Sequence, residues 1–473
     1  MGRVKRLLSN TAILGAGTFI SKVLVFLLMP FYTTYLTKAE FGVADVLMQT
    51  ANLIIPLAVL GISDGLFRFT IDGNPEKRKQ VFSVSIITML IGIVPLALII
   101  QIFRFFSVYD GFIWLVFLYI CSANLHLIVA NYVRGCDKTK VYAIQGIVNT
   151  MLVIGFNILF LVVFDMGVTG YLLSVVIADF LVSVGLILFC KLYKDIKLKG
   201  IDKQLIKDLL GFSIPYIPLT LMWTITSVSD RFIILATLGE NADAVNGLYA
   251  AAYKLPTLIT IAGGIFIKAW HLSSVSEKDE EERAVFFGSI YRYYIGFLFI
   301  GGACLVGFSK IMTTLLLNES YYESWKFVPV LAIAMVFSAF SEFLGSVYFV
   351  HKKSTRSLVT ASVGAGMNII LNFAMIPSMG AMGAAIATAI CYITVFVIRL
   401  IDAPRYIGFN PRFLKLIINM MLLIVQTVIM IMEIPYWWIW QIALIAVIVI
   451  YNVKDLATAI LKILKKRTKK QEK

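Results

Sequence analysis

The chain has 473 residues, of which 60% are hydrophobic and only 15% are charged. Soluble globular domains carry about a quarter charged residues, so this composition excludes a soluble protein and leaves lipid as the main solvent. The net charge of +15 does not indicate a nucleic-acid partner, because the basic residues lie in short segments between apolar runs. The five cysteines have no metal-ligand spacing and are interpreted as packing residues.

Apolar runs between polar breaks predict fourteen transmembrane helices, each near the roughly 20 residues that span a bilayer. The predicted cores are 10–31, 43–65, 81–103, 112–133, 141–163, 168–190, 212–236, 245–267, 285–308, 327–350, 357–376, 381–400, 414–432 and 436–452. The first run is too long for the apolar part of a cleaved signal peptide. We therefore predict an all-α, multi-pass membrane protein.

The basic residues predict the orientation of the chain. The predicted outer loops contain Lys38, Arg104, Lys310 and Lys326, while most of the 42 lysines and arginines fall on the side of the N-terminus. Cytoplasmic loops carry an excess of lysine and arginine, so both termini are expected in the cytoplasm. The expected location is the cytoplasmic membrane, with the lysine-rich tail facing solvent or lipid headgroups.

A parallel repeat relates the two sets of six predicted helices on either side of the loop Lys191–Leu210. The matching residues are Tyr132, Thr139 and Lys140 with Tyr348, Thr355 and Arg356, Gly167 and Gly170 with Gly380 and Gly383, and Asn157 with Asn372. Two such lobes are typical of alternating-access transporters, with the site between them. The predicted domains are an N-lobe (1–195), a C-lobe (196–404) and a third segment (405–473) with helices 13 and 14 and the tail.

Charged residues inside the predicted helices are the candidate functional residues. Each charge at the bilayer centre costs roughly 2.5–3.5 kcal/mol, so these groups are expected to face a cavity or a partner. Polar residues recur on one helical face in the sets Thr11, Gly15, Thr18 and Lys22; Thr220, Thr224, Ser227 and Arg231; Asp45, Gln49 and Asn52; and Lys254 and Thr257.

The sequence leaves two interpretations of these stripes open. The threonines and serines either line a water-filled cavity or bind neighbouring helices through hydrogen bonds. Asp230 either couples an ion or neutralises Arg231, and Arg292 either lines the cavity or snorkels to the interface. His126 lies mid-helix and is interpreted as a helix–helix contact rather than a proton relay.

The predicted site therefore has a basic part and an acidic part. The substrate-binding candidates are Lys22, Arg231, Lys254, Arg292, Gln49 and Asn52, and the ion-coupling candidates are Asp179, Asp230 and Glu342. Arg231 is given the larger role, because its guanidinium is a planar fork that suits phosphate. On this interpretation Arg231→Ala abolishes export at unchanged protein level, whereas a purely structural pair predicts loss of the protein.

Other features bear on the class of protein. The phosphate-cradling pattern GxxxxGK[ST] is missing from the sequence, and no predicted outer loop is long enough for a catalytic domain. We therefore expect a transporter rather than an enzyme, without a cofactor or metal.

Several segments resemble the polysaccharide and O-antigen type flippases of the multidrug/oligosaccharidyl-lipid/polysaccharide exporter superfamily. They are Thr18-Phe-Ile-Ser-Lys22, Met29-Pro30, Tyr35-Leu-Thr-Lys-Ala-Glu-Phe-Gly42, Leu60-Gly-Ile-Ser-Asp-Gly-Leu-Phe-Arg68-Phe, Ser229-Asp-Arg-Phe-Ile-Ile-Leu235 and Gly247-Leu-Tyr-Ala-Ala-Ala-Tyr-Lys-Leu-Pro256. The resemblance covers the first twelve predicted helices. It implies a V-shaped two-lobed bundle that moves an undecaprenyl-diphosphate-linked oligosaccharide across the inner membrane, a cargo that a cationic cavity suits.

The same resemblance leaves rival functions. Flippases for the lipid-linked peptidoglycan precursor carry an Arg-Asp pair where this chain has Leu28 and Met29, and drug-exporting relatives often have acidic cavities. A membrane glycosyl polymerase or ligase and a non-transporting scaffold are further alternatives. The expected partners are the lipid-linked glycan and membrane lipid, with polysaccharide polymerase or assembly proteins as candidates.

Overall fold

The computed structural model describes residues 23–24, 26–71, 73–105, 110–197, 201–264, 280–351 and 353–453, and within these ranges the chain is helical with no strand. The helices are α1 (Met29–Tyr35), α2 (Lys38–Ala58), α3 (Ile62–Ile71), α4 (Pro75–Phe105), α5 (Ile113–Gly135), α6 (Thr139–Asn157), α7 (Gly167–Phe189), α8 (Lys203–Ser213), α9 (Ile217–Thr237), α10 (Ala242–Lys254), α11 (Glu280–Gly307), α12 (Ser309–Leu316), α13 (Val328–Val350), α14 (Ser354–Met379), α15 (Ala381–Asp402), α16 (Phe413–Ile431) and α17 (Trp437–Val453). A short π-helix, Ile158–Val163, continues α6.

The predicted multi-pass architecture is confirmed. Within the described ranges, eleven helical segments are long and apolar enough to cross a membrane. They correspond to predicted spans 2–7 and 9–13, and α17 corresponds to the last predicted span as a shorter apolar helix. Most of the first predicted span, 10–31, and the end of the eighth, 245–267, lie outside the described residues.

The chain divides into two compact units, and the first of them contains most of α1–α9. Unit 1 comprises the described residues up to Phe232 together with Asp243–Gly247. In this unit α7 packs against both α5 and α6, while α2, α3 and α4 pack against α5. Two apolar clusters fill the spaces between these helices. Lipid supplies no hydrophobic driving force between helices, so van der Waals packing of these side chains and interhelical hydrogen bonds hold the helices together, while their outer faces are left for lipid.

Unit 2 comprises Ile233–Ala242 and the described residues from Leu248 onward. Here α15 packs against both α13 and α14, and α11 packs against α13 and α16. Stacked and edge-on aromatic rings form much of the interior, including Phe287, Tyr291, Tyr294, Phe337, Phe340, Phe343 and Phe396. The predicted domain boundaries at residues 195 and 404 stay predictions.

The sequence repeat corresponds to two equivalent three-helix groups, α5–α7 in unit 1 and α13–α15 in unit 2. In each group a matched tyrosine contacts an aspartate at the end of the third helix or in the short helix that follows it. The Tyr132 hydroxyl donates to Asp195 over 3.1 Å, and the Tyr348 hydroxyl donates to Asp402 over 2.8 Å. The matched glycine at the start of that helix has a positive φ in both groups. In the second group this is Gly380, with φ of 59°.

Candidate functional site: a buried ion cluster on α2 and α9

Local sequence places two polar stripes on α2 and α9. Thr37 caps α2 reciprocally with Glu40, which starts the helix at a defined residue. From there Asp45 and Gln49 follow at a spacing of four, so their side chains lie on one face. On α9 the same spacing relates Ser227 to Arg231.

Both stripes end in one buried ion cluster inside unit 1. The Arg231 Nε donates to Asp45 Oδ2 over 3.1 Å, and Nη1 donates to Asp230 Oδ1 over 2.9 Å. Nη1 also donates to the carbonyl of Ser227 over 2.7 Å. The side chains of Arg231, Asp45 and Asp230 are 1%, 7% and 0% exposed. A buried cation is stable only when it is paired in this way, so the cluster fixes α9 against α2.

The backbone on one side of the cluster is tightly packed. A Cβ atom on Gly42 would lie 2.0 Å from the carbonyl oxygen of Asp243, and one on Gly247 would lie 1.8 Å from the carbonyl oxygen of Lys38. Asn246 also donates from Nδ2 to the carbonyl of Arg231 over 3.1 Å. Only glycine permits this approach of α2 and the first turns of α10, so the cluster is closed on this side.

Exposure rises in the opposite direction along α2. Asp45 is buried, Gln49 is half-buried, and Asn52 is exposed and donates to Gln49 over 3.5 Å. On α9 the preceding stripe members Thr224 and Ser227 are half-buried, whereas Arg231 is buried. A polar, partly open face therefore leads along both helices to the ion cluster.

The structure brings Arg231 and Asp230 together with Asp45. The other basic candidates either belong to unit 2 or lie outside the described residues. Lys254 and Arg292 belong to unit 2 and are half-buried, and Arg292 Nη2 donates to Ser289 Oγ over 3.2 Å. Glu342, also in unit 2, is exposed, and Lys22 lies outside the described residues. The substrate-binding and ion-coupling roles of all these residues stay predictions.

A second polar cluster joins His126 to the predicted ion-coupling residue Asp179. His126 Nδ1 lies 3.1 Å from Asp179 Oδ1, and its Nε2 lies 2.7 Å from Gln145 Oε1. Asn149 Nδ2 donates to the same Asp179 oxygen over 2.9 Å. The sequence indicates a helix–helix contact for His126, which is observed. Its carboxylate partner is not visible from spacing, because the register of α5 against α7 is a tertiary property.

Sequence reasoning also missed a buried cation in unit 2. Arg399 of α15 is 2% exposed. Its Nη1 donates to the carbonyl of Ser341 over 2.7 Å, and its Nε donates to Thr360 Oγ1 over 3.0 Å. Arg399 lies at the end of the predicted span 381–400. A basic residue in that position is assigned to the cytoplasmic loop when only the sequence is considered, so it was not a candidate site residue.

Known structures share this helical arrangement. A structure of the lipid II flippase MurJ in an inward closed conformation matches with a TM-score of 0.69 and 13% identity, covering 95% of this chain and 100% of that chain. An outward-facing multidrug resistance MATE family transporter of the MOP superfamily matches with a TM-score of 0.61 and 16% identity, covering 84% and 95%. An uncharacterized membrane protein of Methanocaldococcus jannaschii is 24% identical over 397 residues, covering 78% of this chain and 91% of that protein.

These likenesses define the class of the molecule as a multi-pass helical membrane protein with the fold of the MurJ and MATE structures. The model of the family described as polysaccharide biosynthesis protein matches residues 7–270, more than half of the chain. The chain therefore belongs to the polysaccharide biosynthesis protein family, and the family resemblance drawn from its motifs is confirmed.

Proposed function

We propose that this protein flips an undecaprenyl-diphosphate-linked oligosaccharide across the cytoplasmic membrane by alternating access, in the biosynthesis of a cell-surface polysaccharide. The observation that carries the proposal is the family match over residues 7–270. The fold supports it, because it is shared with a lipid flippase over the whole length of that protein. The polar face that leads to a buried arginine supplies a suitable path for a charged headgroup.

Arg231 is the residue that we assign to the diphosphate. A guanidinium binds carboxylates and phosphates through the same planar fork of N–H donors. In the described conformation Asp45 and Asp230 take these donors. We infer that cargo phosphate replaces Asp45 on Arg231 when the packing of α2 against α9 loosens, while the adjacent Asp230 continues to orient the guanidinium.

The exchange keeps Arg231 neutralised at every stage, which lowers the cost of moving it in a low-dielectric site. Gln49 and Asn52, on the exposed part of the same α2 face, are assigned to the sugar hydroxyls. Lys22, Lys254 and Arg292 are proposed as further contacts to the anionic headgroup.

Two other cargoes are the alternatives. The fold of the MATE family transporter favours a drug or cation antiporter, and the fold of MurJ favours a peptidoglycan-precursor lipid flippase. Both likenesses are below 25% identity and support a shared fold. Leu28 and Met29 at the positions expected for an Arg-Asp pair weigh against the peptidoglycan precursor.

The test uses the purified full chain in proteoliposomes. A fluorescent polyprenyl-diphosphate oligosaccharide is supplied in one leaflet, and its appearance in the other is followed with a membrane-impermeant quencher. Parallel vesicles receive lipid II or ethidium. Movement of the oligosaccharide lipid above protein-free vesicles supports the proposal; movement of lipid II or ethidium alone assigns the corresponding alternative and overturns it.

A further inference from the structure

The His126–Asp179 cluster places an oxygen atom within hydrogen-bond distance of each ring nitrogen of His126. The cluster is built from three helices of unit 1, with His126 on α5, Gln145 and Asn149 on α6, and Asp179 on α7. The side chains of His126 and Asp179 are 17% and 9% exposed. Two titratable groups in contact inside a membrane-spanning region are costly, so such groups usually belong to a pathway or relay.

The hydrogen-bond partners determine how many protons the pair holds. The amide oxygen of Gln145 faces Nε2 of His126, so Nε2 carries a hydrogen. Nδ1 faces a carboxylate oxygen at 3.1 Å, and two bare lone pairs would repel at that distance. One further proton therefore lies on Nδ1, between the ring and Oδ1, so that an imidazolium faces a carboxylate and the net charge of the pair is zero.

Loss of that proton changes the packing of the three-helix group. The pair would then carry one negative charge, and the Nδ1 lone pair would face the carboxylate without a donor between them. Asn149 Nδ2 donates to the Asp179 oxygen in the described state, but it cannot restore the missing bond to the ring. Proton release therefore disfavours the described contact of α5 with α7.

Other charged and titratable groups lie on the helices that pack around this pair. Tyr119 of α5 lies near Asp179, and Asp45 of α2, a helix that packs on α5 and α7, is held by Arg231. The remaining described charged or titratable groups of the packed helices include Arg68 of α3, Glu76, Lys77, Arg78 and Lys79 of α4, Arg134 of α5, Lys140 and Tyr142 of α6, and Tyr171 of α7. Of these, Arg134 lies over the rings of Phe67 and Tyr142.

We propose that His126 and Asp179 form a proton-binding site that couples cargo movement to the proton gradient across the membrane. The proton is taken from water on one side, is held on Nδ1 facing Oδ1, and is released to water on the other side after the contact opens. The coupling is transmitted through α2, which packs against α5 and α7 and also carries Asp45 of the ion cluster. This proposal rests on the proposed transport function, which supplies the identity of the cargo.

The first test measures the proton directly and needs no cargo. The chain has three histidines, so selective ¹⁵N-histidine labelling yields three ring signals, and His126→Gln assigns one of them. We expect the His126 ring of the wild type to show the doubly protonated nitrogen pattern at pH 7. Asp179→Asn removes the carboxylate that faces Nδ1 and should remove that pattern. A His126 ring that is a single neutral tautomer throughout the wild-type titration would overturn the proposal.

The second test measures coupling in proteoliposomes. A gradient of one pH unit should change the distribution of cargo between leaflets up to about tenfold when one proton moves per cargo. In His126→Gln and in Asp179→Asn the ratio with and without the gradient should fall to about one. His351→Gln is the matched control, because His351 is half-buried against Tyr406 in unit 2 and should leave the ratio unchanged.

The outcomes separate this inference from the transport function. Wild-type movement that ignores the pH gradient overturns the proton site and leaves the flippase proposal standing. If the wild-type protein moves no lipid-linked oligosaccharide, the flippase proposal fails, and the nuclear magnetic resonance titration still decides whether the pair binds a proton.

Discussion

Removal of the Arg231 side chain is expected to destabilise unit 1 strongly. The guanidinium is 1% exposed and donates to carboxylates at 3.1 and 2.9 Å. Arg231→Ala would leave Asp45 and Asp230 buried next to each other without this cation. Breaking a buried ion pair by removing one partner costs about 3–5 kcal/mol. We therefore expect the free energy of unfolding to fall by about that amount and the level of protein in the membrane to fall with it.

Two further variants separate charge from packing. The triple variant Asp45→Asn, Asp230→Asn and Arg231→Met removes all three charges, and buried ionic groups replaced together by neutral ones lose little stability. It should recover most of the loss. Arg405→Ala is the control, because Arg405 is 69% exposed and lies 3.4 Å from Asp402, and such surface pairs contribute about 0–1 kcal/mol.

The assay is unfolding of the purified protein in mixed micelles by increasing fractions of sodium dodecyl sulfate, followed by circular dichroism. An Arg231→Ala protein that unfolds within about 0.5 kcal/mol of the wild type, while the triple variant is no more stable, refutes the buried-pair reasoning. Oligosaccharide export by the triple variant at normal protein level would show that Arg231 does not hold cargo. If the triple variant regains stability but exports no oligosaccharide, the result supports an Arg231 that pairs with the carboxylates and also binds the cargo phosphate.

Three further predictions concern glycines and topology. Gly380→Ala should lower stability by roughly 1–3 kcal/mol through backbone strain alone, since its φ of 59° and ψ of −144° are close to a region that essentially only glycine adopts and a Cβ would meet nothing within 4 Å. Gly366→Ala, equally open but without positive φ, should be neutral or stabilising in the same unfolding assay. Gly247→Ala should lower the free energy of unfolding by about 1–3 kcal/mol through overpacking. Gly155→Ala, where a Cβ would meet nothing within 4 Å, should leave it unchanged. Equal melting temperatures for these two variants would contradict the close approach of Gly247 to Lys38. Cysteine labelling should place both termini and the loop 191–210 in the cytoplasm, and an external C-terminus would contradict fourteen spans.

The helical spans and the repeat are readable from the sequence because each depends on local patterns. Lipid requires about 20 apolar residues per span, and the breaks between the runs locate eleven of the described helices. The matched Tyr132 and Tyr348 make the same contact with an aspartate in their own groups. Residues that match in the repeat have similar neighbours, because in each group the third helix packs against both the first and the second helix.

Partners across helices are not readable in the same way. The stripe ending in Arg231 is visible from spacing, but its contact with Asp45, 186 positions earlier, depends on the tertiary register of α9 on α2. The same limit hides the carboxylate partner of His126. Sequence therefore identifies which residues are costly in lipid, and the fold determines which residues neutralise them. For Arg231 this favours the prediction that protein level falls when it is replaced by alanine.

The two three-helix groups share a frame but differ in chemistry. The offset of 216 that relates Tyr132 to Tyr348 also relates His126 to Glu342, and the offset of 213 between the matched glycines relates Asp179 to Tyr392. The positive-φ glycines and the tyrosine–aspartate contacts that keep each frame in shape are separate from these positions. The duplicated scaffold therefore holds a histidine–carboxylate pair in one half and carries Glu342 and Tyr392 at the equivalent positions of the other half.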